Sequence, residues 1–149
     1  MTVLTILKYP DERLETKAAP VLRVDDKIQH LAHDMAQTMY SAGGIGLAAP
    51  QVGVALRVVV ADVTDNQSGL ITLVNPKITR TSGRGTFTEG CLSIPGKVVR
   101  TQRATTVSVD AKDLDGKQLS FTAKGALAMV IQHEIEHLDG VLFLQHEAG

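Results

Sequence analysis

Apolar residues follow a helical period in two parts of the chain, so the sequence predicts two helices. The first pattern spans residues 26–41, with Asp26 and Gln29 as the predicted capping pair. The second runs from about residue 125 to 138, and Gly140 is placed to end it. The two predicted helices therefore bracket the central part of the chain.

Alternating and β-branched segments indicate strands between the predicted helices. The predicted strands cover residues 56–63, 70–74, 105–112 and 117–123. Asn75-Pro76 is expected to end the second strand, and Asp115-Gly116 predicts a tight hairpin turn between the last two. Residues 1–24 contain two prolines and predict an extended arm that wraps the domain.

Three polar residues of the second predicted helix form the first candidate site. His133 and His137 are four residues apart, so both imidazoles lie on one helical face and can bind one metal ion. Glu134 follows the first histidine, where its carboxylate can take a proton from a water at the metal. The same three residues can also meet by chance on a core helix. If they bind a metal, two histidines leave it short of ligands, and the chain must supply at least one more.

Cys91, the only cysteine of the chain, is the candidate for the third metal ligand. A thiolate binds zinc or ferrous iron strongly, and one cysteine with two histidines leaves a fourth tetrahedral position for water. Taken alone, a single cysteine is more often a small buried thiol. His30 and His33 are three residues apart on the first predicted helix, but we interpret them as solvated surface residues.

The run from Gly44 to Gln51 is built from small residues and ends in a glutamine. Small residues allow another backbone to approach closely, so a peptide substrate could lie along this run. The amide of Gln51 can donate a hydrogen bond to a developing oxyanion. The plainer interpretation is a glycine-rich turn with an exposed glutamine. The run lacks the pattern of a phosphate-binding loop.

Composition and charge narrow the possible functions. The 149 residues are most simply one domain. Charged residues make up 21% of the chain and the formal net charge is −1, which argues against binding to nucleic acid or to an anionic membrane through bulk charge. No apolar run is long enough for a membrane span or a signal peptide, and one cysteine suits a reducing compartment, so we expect a cytoplasmic protein.

Three stretches, in this order, resemble the signature motifs of the peptide deformylase family: Gly44 to Gln51, Glu89 to Ser93, and Gln132 to His137. The similarity extends from Tyr9 to about Leu144. It implies an α+β fold in which antiparallel and mixed β-sheets surround a central metal-binding helix, as one catalytic domain over residues 1–149. The implied function is metal-dependent removal of the N-formyl group from the N-terminal formylmethionine of nascent polypeptides, with release of formate.

The resemblance also implies a role for each candidate residue. The implied metal ligands are Cys91, His133 and His137, with water as the fourth ligand. The ion would be ferrous iron in cells, and zinc, nickel or cobalt could replace it in purified protein. The implied catalytic residues are Glu134 as general base and acid, with Gln51 and the backbone N–H of Leu92 polarising the formyl oxygen.

The substrate side of the site is carried over in the same way. Gly46 matches the residue whose backbone bonds the substrate chain. The residues expected to bind the substrate are Ile45, Gly46, Phe87, Ala126, Met129 and Val130. Ala126 stands where a larger apolar residue is common in relatives, and Phe87 is expected to fill part of that space. Glu89 and Arg103 are expected to form an ion pair near the cysteine.

Other features differ from the family pattern. Glu136 precedes the second metal histidine, where many relatives carry aspartate, and Gly96-Lys97 stands where some relatives place an arginine against the substrate. Many bacterial members carry a C-terminal helix implicated in docking to the ribosome; we expect none here, which leaves ribosome binding open. We expect a monomer that acts on peptides and has no direct nucleic-acid or membrane partner.

Two other functions are compatible with the sequence. An endopeptidase with the same helix motif would take its third ligand from downstream, where His146 and Glu147 are the only candidates. A deformylase-like protein could bind a metal or a peptide terminus with little turnover. Formate release would separate a deformylase from both, and casein digestion would identify the endopeptidase.

Overall fold

The computed structural model describes residues 2–146, and this part of the chain contains two helices and seven strands. Helix α1 spans Asp26–Ser41 and helix α2 spans Gly125–Leu138. The strands are β1 (Gly46–Ala48), β2 (Val58–Ala61), β3 (Ile71–Ser82), β4 (Gly85–Cys91), β5 (Ile94–Arg103), β6 (Thr106–Lys112) and β7 (Gln118–Lys124). Single turns of 3₁₀ helix lie at Glu12–Glu15, Ala49–Val52 and Phe143–His146. Neither described helix is long and apolar enough to cross a membrane.

Helix α1 has the predicted bounds but a different N-cap. The side-chain oxygen of Asp25 accepts a hydrogen bond from the Ile28 N–H at 3.2 Å. The predicted capping pair of Asp26 and Gln29 is wrong, because Gln29 instead donates to the Leu114 carbonyl at 2.9 Å. The cap therefore lies one residue earlier than the pattern indicated, and Gln29 joins the helix to the β6–β7 turn.

The five-stranded sheet lies between the two helices. Its order is β1-β2-β3-β6-β7, and every neighbouring pair is antiparallel. Because side chains alternate along a strand, Val59 packs in the apolar cluster that includes α2, whereas Val58 and Val60 pack in the cluster that includes α1. His30 and His33 lie on the exposed side of α1, as predicted.

Strand β3 contains a bulge where the sequence predicted its end. The predicted β6–β7 hairpin is confirmed, but β3 continues past Asn75 to Ser82, with a register shift against β6 between Val74 and Lys77. Asn75 has a positive φ of 53°, and its side chain both donates to the Val21 carbonyl and accepts the Val21 N–H, each at 2.8 Å. The Asn-Pro pair therefore forms a bulge that anchors the arm.

Strands β4 and β5 form a separate two-stranded sheet, here called the cysteine hairpin, which the sequence did not predict. Its inward positions include Glu89, Thr101 and Arg103, all buried, so polar residues occupy places where a strand pattern usually has apolar ones. Cys91 is the last residue of β4, at the turn into β5. The hairpin thereby presents Cys91 at one end of a rigid ribbon.

The N-terminal segment is extended apart from its one 3₁₀ turn, and it wraps the domain as predicted. The Leu7 N–H donates to the Gln51 carbonyl at 2.7 Å, and the Tyr9 N–H donates to the Ser93 carbonyl at 2.8 Å. The arm therefore joins the glycine-rich run to the cysteine hairpin.

Gly140 follows α2 in a conformation and a space that suit only glycine. Its φ is +76°, and an added Cβ would lie 2.6 Å from the Glu15 carbonyl oxygen. We predict that Gly140→Ala lowers the free energy of unfolding by about 2 kcal/mol or more, through left-handed strain and a backbone clash. Gly116→Ala is the matched control, since its φ is +78° and the nearest atom to an added Cβ is 3.9 Å away. Urea unfolding measures both losses, and equal losses would contradict the clash.

A second prediction concerns Asp62, which directly follows β2. Its buried carboxylate accepts hydrogen bonds from the Thr64 hydroxyl at 2.5 Å, the Tyr40 hydroxyl at 2.6 Å and the Gly69 N–H at 3.2 Å. The hydrogen bonds from Thr64 and Tyr40 lower the pKa of Asp62 to about 2. Because the folded pKa is depressed, this carboxylate stabilises the fold above the ordinary pKa of about 3.9, and that contribution disappears as the pH falls towards 2.

We therefore expect Asp62→Asn to lower the free energy of unfolding at pH 7 and to lower it progressively less below about pH 4. Asp65→Asn, at an exposed position three residues later, serves as the control and is expected to stay close to the native protein throughout. Urea titrations between pH 7 and pH 3 measure the difference. A loss that stays constant with pH would contradict the assignment.

Candidate metal centre

The three predicted metal ligands come together from two elements. Cys91 lies at the end of β4, while His133 and His137 project from one face of α2. Their donor atoms all lie within 4.8 Å of one another, and Cys91 Sγ is 3.3 Å from His137 Nε2. Tetrahedral zinc with ordinary bond lengths would hold a sulfur and a nitrogen about 3.5 Å apart. One thiolate and two imidazoles at this spacing fit a divalent transition metal.

Two buried atoms near these donors have no hydrogen-bond partner within the described residues. They are Glu134 Oε1 and His137 Nδ1. Buried polar atoms are nearly always paired, so an orphaned carboxylate oxygen indicates a group that is bound at the site during function. His133, Glu134 and His137 are each at most 5% exposed, which shields them from bulk water.

His133 is oriented by a carboxylate on the cysteine hairpin. Its Nδ1 lies 2.8 Å from Glu89 Oε1, which leaves Nε2 for the metal. Glu89 also accepts hydrogen bonds from the Arg103 guanidinium and the Thr101 hydroxyl, so the predicted Glu89–Arg103 ion pair is confirmed. Burial alone would raise the pKa of Glu89, but hydrogen bonds from His133, Arg103 and Thr101 outweigh it and lower the pKa to about 2.

The surroundings of His133 favour a positive charge, whereas those of His137 do not. Burial opposes protonation of His133, yet the negative groups of Glu134, Cys91 and Glu89 outweigh burial and raise its pKa to about 10. Burial lowers the pKa of His137 to about 3, so this imidazole is a neutral donor. An environment that attracts a proton so strongly also attracts another cation, which agrees with a metal site.

Gln51 is buried and its amide orientation is determined by two contacts. Its Oε1 accepts the Ala48 N–H at 2.9 Å, and its Nε2 donates to Ser93 Oγ at 3.0 Å. The Nε2 atom is also 3.7 Å from Cys91 Sγ. The interpretation of an exposed glutamine is therefore wrong, and the amide donor faces the cysteine.

A cavity of about 660 Å³ opens beside the metal ligands. The predicted residues that line it are Ile45, Gly46, Gln51, Cys91, Leu92, Met129, Val130, His133 and Glu134. A side chain at position 46 would displace Glu134 or Val130, since an added Cβ would lie 2.6 Å from Glu134 Oε2 and 2.7 Å from Val130 Cγ1. Strand β1 can therefore pass directly over the face of α2 that carries Val130 and Glu134.

Phe87 and Ala126 were predicted to line the cavity, and the structure does not place them there. Phe87 is four residues before Cys91 on β4, a separation of about 13 Å along a strand. Ala126 is exposed and lies seven residues before His133, about 10 Å away along the helix. Their assignment to the substrate site stays a prediction.

The arm contributes cavity residues that the sequence did not indicate. Ile6 and Lys8 line the cavity, and Lys8 Nζ donates to the Leu92 carbonyl at 3.1 Å. Ser93, which accepts from Gln51, was also missed, although it lies within the cysteine motif. No local pattern marks the arm residues, because they reach the site only through the tertiary fold.

The endopeptidase interpretation needs a ligand from beyond α2. His146 is not part of the ligand cluster, since its Nε2 contacts both carboxylate oxygens of Glu136, at 2.8 and 3.0 Å. Glu147, the other candidate, lies outside the described residues. In the described part of the chain, the candidate third donor beside the two histidines is Cys91.

Comparison with protein families identifies the chain. The model of the family described as Polypeptide deformylase matches residues 3–148. The chain belongs to this family. As a polypeptide deformylase, it is a hydrolase that removes the N-formyl group from newly made polypeptides.

Individual deformylases are similar over nearly the whole chain. A peptide deformylase from Chromohalobacter salexigens is 52% identical over 147 residues, which cover 98% of this chain and 86% of its own length. The crystal structure of a peptide deformylase from Legionella pneumophila has a TM-score of 0.95 at 45% identity and covers 99% of this chain and 87% of that chain. A Met-Ala-Ser-bound peptide deformylase from Acinetobacter baumannii has a TM-score of 0.92 at 32% identity, over 97% of this chain and 98% of that chain.

We predict that Glu89→Gln weakens metal binding about 10- to 100-fold, because the amide cannot replace the carboxylate that orients His133 and neutralises Arg103. Competition with a zinc chelator measures the affinity, and urea unfolding reports the loss of stability. Glu12→Gln, at an exposed position on the arm, is the control. Native zinc affinity in folded Glu89→Gln would contradict this role.

Proposed function

We propose that Cys91, His133 and His137 bind one divalent metal ion and that Glu134, Gln51 and Leu92 catalyse deformylation beside it. The observation that carries the proposal is the cluster of three donors within 4.8 Å of one another, next to a buried carboxylate with an orphaned oxygen. A bound divalent metal would supply Lewis-acid activation of water and of the formyl carbonyl. The remaining steps are assigned to side chains of this chain.

Glu134 is the proposed general base and acid. It lines the cavity, and burial raises its pKa to about 7, where a carboxylate can both take and return a proton near neutral pH. It would take a proton from the attacking water and return it to the departing amine as formate leaves. The free Oε1 is the oxygen available for this transfer.

Gln51 and Leu92 are the proposed donors to the oxyanion. The contact of Gln51 Oε1 with Ala48 commits the amide nitrogen to the side of Cys91, where negative charge develops on the formyl oxygen. The N–H of Leu92 belongs to the residue directly after this ligand. Gly44 packs directly against the Leu92 side chain, since a Cβ added at Gly44 would lie 2.6 Å from Leu92 Cδ1.

The proposed substrate is an N-formylmethionyl peptide. Ile45, Leu92, Met129 and Val130 give the cavity an apolar lining that suits a methionine side chain. The backbone at Gly46 is positioned to bond the peptide chain. The Acinetobacter baumannii neighbour with bound Met-Ala-Ser supports this kind of ligand.

The identity of the metal and the cellular setting are further parts of the proposal. A thiolate ligand favours ferrous iron as the native ion, with zinc, nickel or cobalt as substitutes in purified protein. The cytoplasmic location and the monomeric state stay predictions from the sequence. Ribosome docking stays open.

Two substitutions test the assignment. We predict that Glu134→Ala retains the metal but lowers formate release from a formyl-Met-Ala-Ser peptide by at least about 100-fold, because the proton carrier is lost. Cys91→Ala is expected to lose both metal and turnover, since two histidines alone bind a divalent ion weakly. Formate and metal content are measured on protein prepared anaerobically with ferrous iron.

The controls separate deformylation from the other functions. His30→Ala, on the exposed face of α1, should behave as the native protein, and chelation should abolish turnover. Full activity in Glu134→Ala would remove the assigned base. A native chain that binds metal but releases no formate would indicate a deformylase-like binding protein, and casein digestion would indicate an endopeptidase.

A further inference from the structure

A row of charged and polar side chains runs from the metal centre to the protein surface. His133 Nδ1 lies 2.8 Å from Glu89 Oε1, and Arg103 Nη2 lies 3.0 Å from the same oxygen. Arg103 Nη2 is also 3.0 Å from Glu136 Oε1, and His146 Nε2 is 2.8 Å from Glu136 Oε2. The first two links are buried, whereas the side chains of Glu136 and His146 are 26% and 29% exposed.

We propose that Glu136 and His146 are positioning residues that hold Arg103 against Glu89 and so fix the imidazole of His133 for metal binding. This inference rests on the proposed metal site. Neither residue belongs to the ligand cluster, and both act on His133 through Arg103 and Glu89.

Arg103 is the central link because it is shared by two carboxylates. Its Nε and Nη2 both donate to Glu89, and Nη2 also donates to Glu136. Arg103 is only 3% exposed, so its guanidinium has little water to replace a lost contact. Removing Glu136 would take away the second carboxylate partner of Nη2 and leave Glu89 alone to orient this buried cation.

The hydrogen bond between His146 and Glu136 has a defined direction. Because an ionised carboxylate can only accept, Nε2 of His146 must carry the proton and donate to Glu136. Glu136 is partly exposed, so water would otherwise compete for its oxygens. The histidine therefore holds the carboxylate in the orientation that reaches Arg103.

The 3₁₀ turn that carries His146 is itself packed on the metal centre. Phe143, in the same turn, is 1% exposed. Its ring meets the His133 ring edge-on, with centroids 5.6 Å apart and an interplanar angle of 81°. One turn thus contacts His133 directly through Phe143 and indirectly through the row of side chains that begins at His146.

The length of the side chain at position 136 is part of the arrangement. Glu136 bridges a buried arginine on β5 and a histidine beyond α2. Aspartate is shorter by one methylene group, about 1.5 Å, and cannot reach both partners from the same backbone position. Glu136→Asp therefore tests the bridge while it keeps the charge.

The test uses the full chain loaded with cobalt, whose visible spectrum reports the geometry of its ligands. We expect His146→Ala and Glu136→Asp to lose cobalt to EDTA about three- to tenfold faster than the native chain, a smaller effect than for a residue bonded directly to a ligand. The d–d bands should shift in both variants. His146→Gln, whose amide can donate to Glu136, should restore the native rate within about twofold.

His33→Ala is the matched control, because the His33 side chain is exposed and makes no hydrogen bond or ion pair among residues 2–146. It should keep the native spectrum and cobalt-loss rate. Urea unfolding of all variants is measured in parallel. With formyl-Met-Ala-Ser, the positioning variants should lower kcat and leave KM unchanged, since the substrate cavity is not altered.

Native spectrum and native cobalt loss in both His146→Ala and Glu136→Asp would overturn the proposal. The proposal would also be overturned if the rate of cobalt loss rose in proportion to the fall in the urea midpoint and His146→Gln did not restore it. A purely structural role would explain that result. Cobalt retention is measured without substrate, so it tests this inference independently of turnover. If the variants lose cobalt faster but the native chain releases no formate, the proposed function is refuted and this inference stands. A native chain that binds no cobalt would refute both.

Discussion

The hydrogen bond between Glu89 and His133 joins the two elements on which the metal centre depends. Cys91 lies on the cysteine hairpin, which forms its own sheet, and the histidines lie on a helix packed against the five-stranded sheet. Backbone pairing therefore does not connect the thiol to the imidazoles in the described chain. The contact at 2.8 Å between Glu89 Oε1 and His133 Nδ1 does connect them, and it also selects the imidazole nitrogen that faces the metal.

A buried carboxylate in this position requires compensation, and the hairpin supplies it. Glu89 receives donors from Thr101 and Arg103 on the neighbouring strand, directly across the ribbon from β4. A carboxylate with several charged or hydroxyl donors stays ionised in a dry environment, whereas an isolated one would take up a proton. The same ionised carboxylate stabilises a cation at the ligand cluster. The fold thus keeps a negative group next to the site without exposing it to solvent.

The sequence predicted the helices and the ligands more completely than it predicted the hairpin between them. The bounds of α1 and α2 follow from helical periodicity, and His133, Glu134 and His137 lie on one face by the geometry of a single turn. The cysteine hairpin was not predicted because its inward positions include Glu89 and Arg103. Buried and exposed positions are therefore both polar there, and the hydropathy does not alternate along the strands. Lys8 reaches the cavity from the distant arm, and no local pattern could indicate that contact.

The small residues of the glycine-rich run satisfy two requirements at one place. Gly46 is first a packing requirement, since a side chain there would meet Glu134 Oε2 at 2.6 Å and separate β1 from α2. The close approach brings the proposed base and an open stretch of backbone into the same cavity. A peptide held by that backbone would then lie within reach of Glu134, so the contact that packs the helix also aligns substrate and base.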